Sequence, residues 1–133
     1  MAQILVVEKD ESVRDYIRSA LTLSGHSVRE ARNGPQALAA FRVSVPDLVV
    51  CDLFMPRAEG LETLCALRWL APKLPIIALS CGVPWGAMET LHEAVALGAN
   101  IGLTKPFGPR ELFRAVDSLL GTVSVPRGYA PVL

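Results

Sequence analysis

Pro46-Asp-Leu-Val-Val-Cys-Asp-Leu-Phe-Met-Pro56 is the stretch that decides how this chain folds. Leu48 to Cys51 form a short apolar run of strand type, and Asp52 ends it. A Met-Pro turn follows shortly after. A carboxylate at the carboxyl end of a buried strand is costly unless something uses it. Polar chemistry recurs at the ends of other apolar runs, at Glu8-Lys9-Asp10, Ser80 and Lys105. Strand ends that each carry such groups point to one shared site.

Working outward, Gln3 to Val7 reads as a buried strand. Asp10 suits the cap of a helix bearing Val13, Ile17, Ala20 and Leu21, which Ser24-Gly25 stops. Ser27 to Ala31 is a more polar strand, fit for a sheet edge. Asn33-Gly34 turns the chain, Pro35 suits a first helical position, and Ala37, Leu38 and Phe41 form the next apolar stripe. Beyond Asp52, Leu61, Leu64, Leu67 and Leu70 mark a helix stopped before Pro72. Ile76 to Leu79 is a strand. Met88, Leu91 and Val95 mark a helix with Gly98 just past its end, and Ile101 to Thr104 is a weak strand. Pro109 opens a last helix with Leu112, Phe113, Val116, Leu119 and Leu120, and Gly121 closes it. The helix stripes are expected to be core. Strand and helix alternate throughout, which predicts an α/β, doubly wound parallel sheet with helices on both faces.

The 133 residues suit one domain, and 51% hydrophobic with 20% charged residues implies a packed core rather than disorder. The formal net charge is zero with Lys and Arg scattered, which argues against nucleic-acid or membrane-surface binding through bulk charge. No apolar run approaches the ~20 residues of a membrane span, and the start lacks a signal peptide pattern. Cys51, Cys65 and Cys81 show no zinc or thioredoxin-like spacing, so reduced thiols in a cytoplasmic protein are expected. Cys51 and Cys81 are expected to be small buried residues without a redox role. His26 and His92 have no partner pattern.

In open doubly wound sheets, ligands bind beyond the carboxyl ends of the strands, where Asp52, Ser80, Lys105 and the Glu8 cluster fall. An aspartate can act as a nucleophile and carry a phosphoryl group as an acyl phosphate. The phosphoryl oxygens then need neutralising charge. A divalent cation on carboxylates, Mg2+ by its preference for oxygen, Lys105 and the Ser80 hydroxyl could supply it.

Ile4-Leu-Val-Val-Glu-Lys-Asp10, Asp52-Leu-Phe-Met-Pro56 with Gly60, Ile76-Ile-Ala-Leu-Ser80, Gly98-Ala-Asn and Leu103-Thr-Lys-Pro-Phe107 occur in order and at proper spacing. With these motifs the chain resembles the response-regulator receiver domains of two-component signalling, over residues 3 to about 121. The resemblance implies a flavodoxin-like three-layer sandwich on a five-stranded parallel sheet of order 2-1-3-4-5. It implies a receiver domain over 1–121, with 122–133 as a tail or linker. Asp52 would be the phosphoacceptor, Lys105 the phosphate-contacting lysine and Ser80 the switch hydroxyl. Glu8, Asp52 and the Phe54 carbonyl would hold Mg2+, and the Lys105-Pro106 bond would be cis. Such a domain is no ordinary enzyme: it catalyses only its own phosphorylation and dephosphorylation. Its partners would be a sensor histidine kinase or histidine phosphotransfer protein and a downstream protein target, with no direct nucleic acid and no membrane.

The chain departs from the family pattern in places. Lys9 stands at the second of two usual acidic positions, and its ammonium is expected near Asp52 as a partial substitute for the cation. Gly102 stands where the family carries an aromatic switch residue, so output would take another route. Ser80-Cys-Gly-Val-Pro-Trp-Gly86 resembles the long loop of a mostly single-domain subgroup, with Trp85 either a partner contact or folded over the core edge. A phosphorylated receiver and a pseudo-receiver, a binding module that signals without phosphorylation, both remain open. An aspartyl phosphatase would want a carboxylate at Phe54. A flavin domain would want a phosphate cradle where Glu8-Lys9-Asp10-Glu11 repels phosphate.

Overall fold

Apolar runs without alternation require cover on both faces. The computed structural model, which describes residues 2–53, 59–80 and 94–121, supplies it. β1 (Gln3–Val7), β2 (Ser27–Ala31), β3 (Leu48–Asp52), β4 (Ile76–Ser80) and β5 (Ile101–Thr104) form one parallel sheet in the order β2-β1-β3-β4-β5. Every residue of β3 and β4 is buried, while β2 and β5 are the more exposed edges. Described with it are the helices α1 (Glu11–Leu23), α2 (Gly34–Val43), α3 (Glu59–Leu70) and α4 (Pro109–Leu120).

Alternate strand residues face opposite layers. Leu5, Val49 and Ile76 pack with Ala37 and Phe41 of α2 and with Leu64 and Leu67 of α3. Ile4, Val50 and Ile77 pack with Ile17 and Leu21 of α1 and with Leu112 and Val116 of α4. The result is the expected three-layer sandwich. No described helix is long and apolar enough to cross a membrane.

Local signals behave as their chemistry dictates. Asp10 Oδ1 accepts from the backbone N–H groups of Ser12 (2.8 Å) and Val13 (3.3 Å) and caps α1. Asn33 caps α2 through Gln36 N–H (2.8 Å), so Gly34 rather than Pro35 begins that helix. β3 and β4 each run one residue further than expected, taking Asp52 and Ser80 into the sheet. The cause is continued pairing: Leu53 N–H reaches Leu79 O at 2.9 Å, and Lys105 N–H reaches Ser80 O at 2.8 Å.

The leucine stripe of α3 is only half core. Leu64 and Leu67 are fully buried, but Leu70 is exposed and Leu61 only partly covered. A three-residue spacing drifts by about 60° per step on a helix of 3.6 residues per turn, so only the middle pair faces the sheet. Val95 is likewise exposed, and its neighbour Ala94 takes the buried position. Met88, Leu91, Trp85 and residues 122–133 lie outside the described residues.

Two contacts seat α3. A Cβ at Gly60 would stand 2.5 Å from Asp52 O and 2.5 Å from Leu53 Cα, so only glycine lets the helix lie on this strand end. At its far end Arg68 donates to Gly98 O (2.7 Å), Ala71 O (3.0 Å), Pro72 O (2.9 Å) and Asn100 Oδ1 (3.1 Å), joining α3 to the entrance of β5. Gly60→Ala is expected to lower stability by about 1–3 kcal/mol through overpacking against main chain that cannot yield. Urea unfolding of the two proteins measures it, and equal midpoints would show that α3 is not seated in this way.

Candidate functional site

The parallel register sets the ends of β1, β3, β4 and β5 along one rim, with Val7 beside Cys51, Asp52 beside Leu79 and Ser80 beside Thr104. Glu8 follows β1 and stays with the sheet, its N–H donating to Ala31 O at 3.0 Å. Its carbonyl accepts from Arg14 Nη1 at 3.0 Å. Arg14 is itself buried and pairs with Glu30 at 3.4 Å. Glu8 is 1% exposed, Asp52 2% and Ser80 3%, so all three are held out of bulk water.

Lys105 crosses from the end of β5 to both acids. Its Nζ donates to Glu8 Oε1 at 2.9 Å and Oε2 at 3.0 Å, and lies 3.4 Å from Asp52 Oδ1. The Lys105-Pro106 peptide is cis, as the motif implied. Beyond it, Phe107 O accepts from the Tyr16 hydroxyl at 3.1 Å, and the two rings meet edge to face at 6.1 Å. That contact ties the lysine's segment to α1.

One ammonium thus faces two buried carboxylates. Burial pushes the Glu8 carboxyl up from 4.5 to about 7; the Lys105 hydrogen bond opposes this, and the Asp52 charge adds to the rise. The Cys51 thiol is pushed up to about 12 by burial and by the charges of Asp52, Glu8 and Glu59. It is inert at neutral pH, in line with the packing role expected of it.

Glu8, Asp52, Ser80 and Lys105 are brought together at this rim. Asp10 spends its carboxylate on the helix cap. The Phe54 carbonyl lies outside the described residues. The expectation for Lys9 is overturned: Lys9 is exposed, and among the described residues the cation paired with Asp52 is Lys105. The main chain turns Lys9 outward as β1 ends, whereas Lys105 enters along the sheet rim. Among the described residues no group of three or more His, Cys, Asp or Glu side chains is placed to hold a metal ion. Arg14 went unremarked in the sequence, although Arg14, Ile17 and Leu21 share a helical face and that spacing signals its burial. Arg68 and the Tyr16–Phe107 contact join residues far apart in the chain, and nothing local signals them.

The family model described as "Response regulator receiver domain" matches residues 4–117. The response regulator MprA of Mycobacterium sp. (strain KMS) is 38% identical over 129 residues, which cover 95% of this chain and 54% of that protein. The chain therefore spans about half the length of such curated relatives. The receiver domain of NtrX from Brucella abortus superposes with a TM-score of 0.83 at 32% identity, covering 90% of this chain and 98% of that one. The Vibrio cholerae chemotaxis protein CheY4 superposes at 0.79 with 29% identity, covering 90% and 98%.

The raised Glu8 carboxyl has a measurable consequence. Its protonated form favours the fold, a contribution fully present below pH 4.5 and lost as pH rises through about 7. In metal-free buffer the wild-type chain is expected to lose on the order of 1–3 kcal/mol over that window relative to Glu8→Gln, one pKa unit being about 1.36 kcal/mol. Urea unfolding at a series of pH values reads the difference, and parallel profiles would refute it.

Proposed function

This chain belongs to the response regulator receiver family, and we propose that it accepts a phosphoryl group on Asp52 and signals through protein–protein contact. The observation that carries this reading is the Lys105 ammonium 3.4 Å from Asp52 Oδ1, at a buried strand end where four elements meet. The donor is a phosphohistidine on a sensor histidine kinase or a histidine phosphotransfer protein.

In the transfer an Asp52 carboxylate oxygen attacks phosphorus. The bond from phosphorus to the imidazole nitrogen breaks, an acyl phosphate forms, and the imidazole leaves. Negative charge on the phosphoryl oxygens is met by the Lys105 ammonium and the Ser80 hydroxyl. Lys105 is already shared between two carboxylates, so a phosphoryl group on Asp52 competes with Glu8 for it. That competition transmits the state of Asp52 to the end of β1. Gly102 pairs with Ala78 in the middle of β5 and has no ring to reorient, so output runs through the strand ends and the helices seated on them.

The donor set suits Mg2+. Glu8 and Asp52 offer hard oxygens, and Mg2+ sites commonly rest on one or two carboxylates with water completing the shell. Glu8 and Asp52 would hold the ion, with the Phe54 carbonyl as the further ligand. When bound it adds positive charge beside the phosphoryl oxygens.

Incubation with acetyl phosphate or phosphoramidate and Mg2+, followed by intact-mass measurement, tests the proposal. The expected result is one added phosphoryl group, absent in Asp52→Ala and formed at least tenfold more slowly in Lys105→Ala. An unmodified wild-type mass would sink the proposal and leave the chain as a binding module. Modification that persists in Asp52→Ala would place the acceptor elsewhere.

A further inference from the structure

The end of the sheet opposite Asp52 carries a feature that phosphoryl transfer does not use. Where α2 and α3 finish, an open groove of about 510 Å3 lies between the entrances of β3 and β4. Its walls include Val45, Pro46, Ala71, Pro72 and Leu74. Large apolar side chains stand beside it in the chain. Trp69 is 85% exposed, Val43 84% and Val45 60%, and Leu70 is half exposed. Single exposed apolar residues are ordinary, but here Val45 lines the groove and the others lie within two residues of a lining position, so the groove reads as a contact surface.

We propose that this surface binds a second copy of the same chain across a two-fold axis, with Trp69 of each copy covered by the other. Two properties of the patch favour a copy over a foreign partner. First, an exposed ring and an apolar recess adjoin, Trp69 standing two residues before the wall residue Ala71, and an isologous pair requires a patch that complements itself. Second, its charges are self-complementary. Asp47 and Lys73 both line the groove, so a two-fold axis passing between them sets each against the opposite charge of the partner. A partner of single-signed charge would meet one of them unfavourably. The chain's formal net charge of zero leaves no long-range repulsion between copies.

A covered Trp removes about 150–250 Å2 from water, a large share of the ~800 Å2 per partner of a standard interface. Val43, Val45, Leu70 and the groove walls extend it. The surface lies at the far end of α3 from Gly60, whose turn rests on the Asp52 backbone, so one helix spans both.

Sedimentation equilibrium of the unphosphorylated chain, from low micromolar to several hundred micromolar, tests the proposal. The wild type is expected to dimerise, and Trp69→Ala to weaken association at least tenfold with unchanged circular dichroism. Lys73→Glu alone and Asp47→Arg alone should each fail to pair, while an equimolar mixture of the two restores dimers as mixed pairs. Asp47 also accepts from Gln3 N–H at 2.7 Å, so thermal unfolding checks that variant, and Trp69→Ala carries the test without it. A wild type monomeric throughout the range overturns the proposal and assigns the groove to another protein or to residues 122–133. A dimer indifferent to Trp69→Ala overturns it as well.

Discussion

Lys105 holds Glu8 through both carboxylate oxygens and stands 3.4 Å from Asp52, and the other features of the rim are arranged around that sharing. Two carboxylates in the interior repel each other and lose hydration, costs that an ammonium at hydrogen-bond distance offsets. The offset is incomplete, which is why the Glu8 carboxyl is lifted to about 7. Removing one member of a buried pair typically costs about 3–5 kcal/mol. The exposed pair Arg18–Asp15 lies in the class worth about 0–1 kcal/mol. The strand-end charges, not the surface ones, therefore govern what this end of the molecule can do. A third charge arriving on Asp52 has to be answered by redistributing the same lysine or by a metal ion.

The remainder of the fold keeps those groups in place. Parallel pairing extended by one residue carries Asp52 and Ser80 to the rim inside the sheet rather than on loops. Arg14 fixes the Glu8 main chain from α1, and Tyr16 fixes the segment after Lys105 from the same helix. α1 thus steadies both partners of the ion pair. On the other face, Gly60 lets α3 rest on the Asp52 carbonyl, and Glu59 accepts from Gly34 N–H at 2.7 Å to bind the starts of α2 and α3 together.

Much of this was legible from residue order. Period and punctuation located each described strand and helix to within a few residues, because apolar runs, Asp and Asn caps, and glycines with positive φ at Gly25, Gly98 and Gly121 act locally. Asp52, Ser80, Lys105 and Glu8 were recognisable as one set, since each ends an apolar strand. The α3 leucines misled where a three-residue repeat slipped round the helix. Lys9 misled because it stands at a position whose usual acid reaches the site, and its ammonium was expected to do the same.

The sequence by itself determined the alternation of strand and helix, the parallel sheet and the residue types at its carboxyl end, because these follow from local periodicity and the rules of chain connection. Only the tertiary structure decided which cation faces Asp52. Lys9 lies one residue from Glu8 and points to solvent, while Lys105 lies 97 positions away and meets both acids. That choice depends on where β5 ends relative to β1 and β3, and hence on register across the whole sheet, a long-range quantity that no short stretch of residues contains.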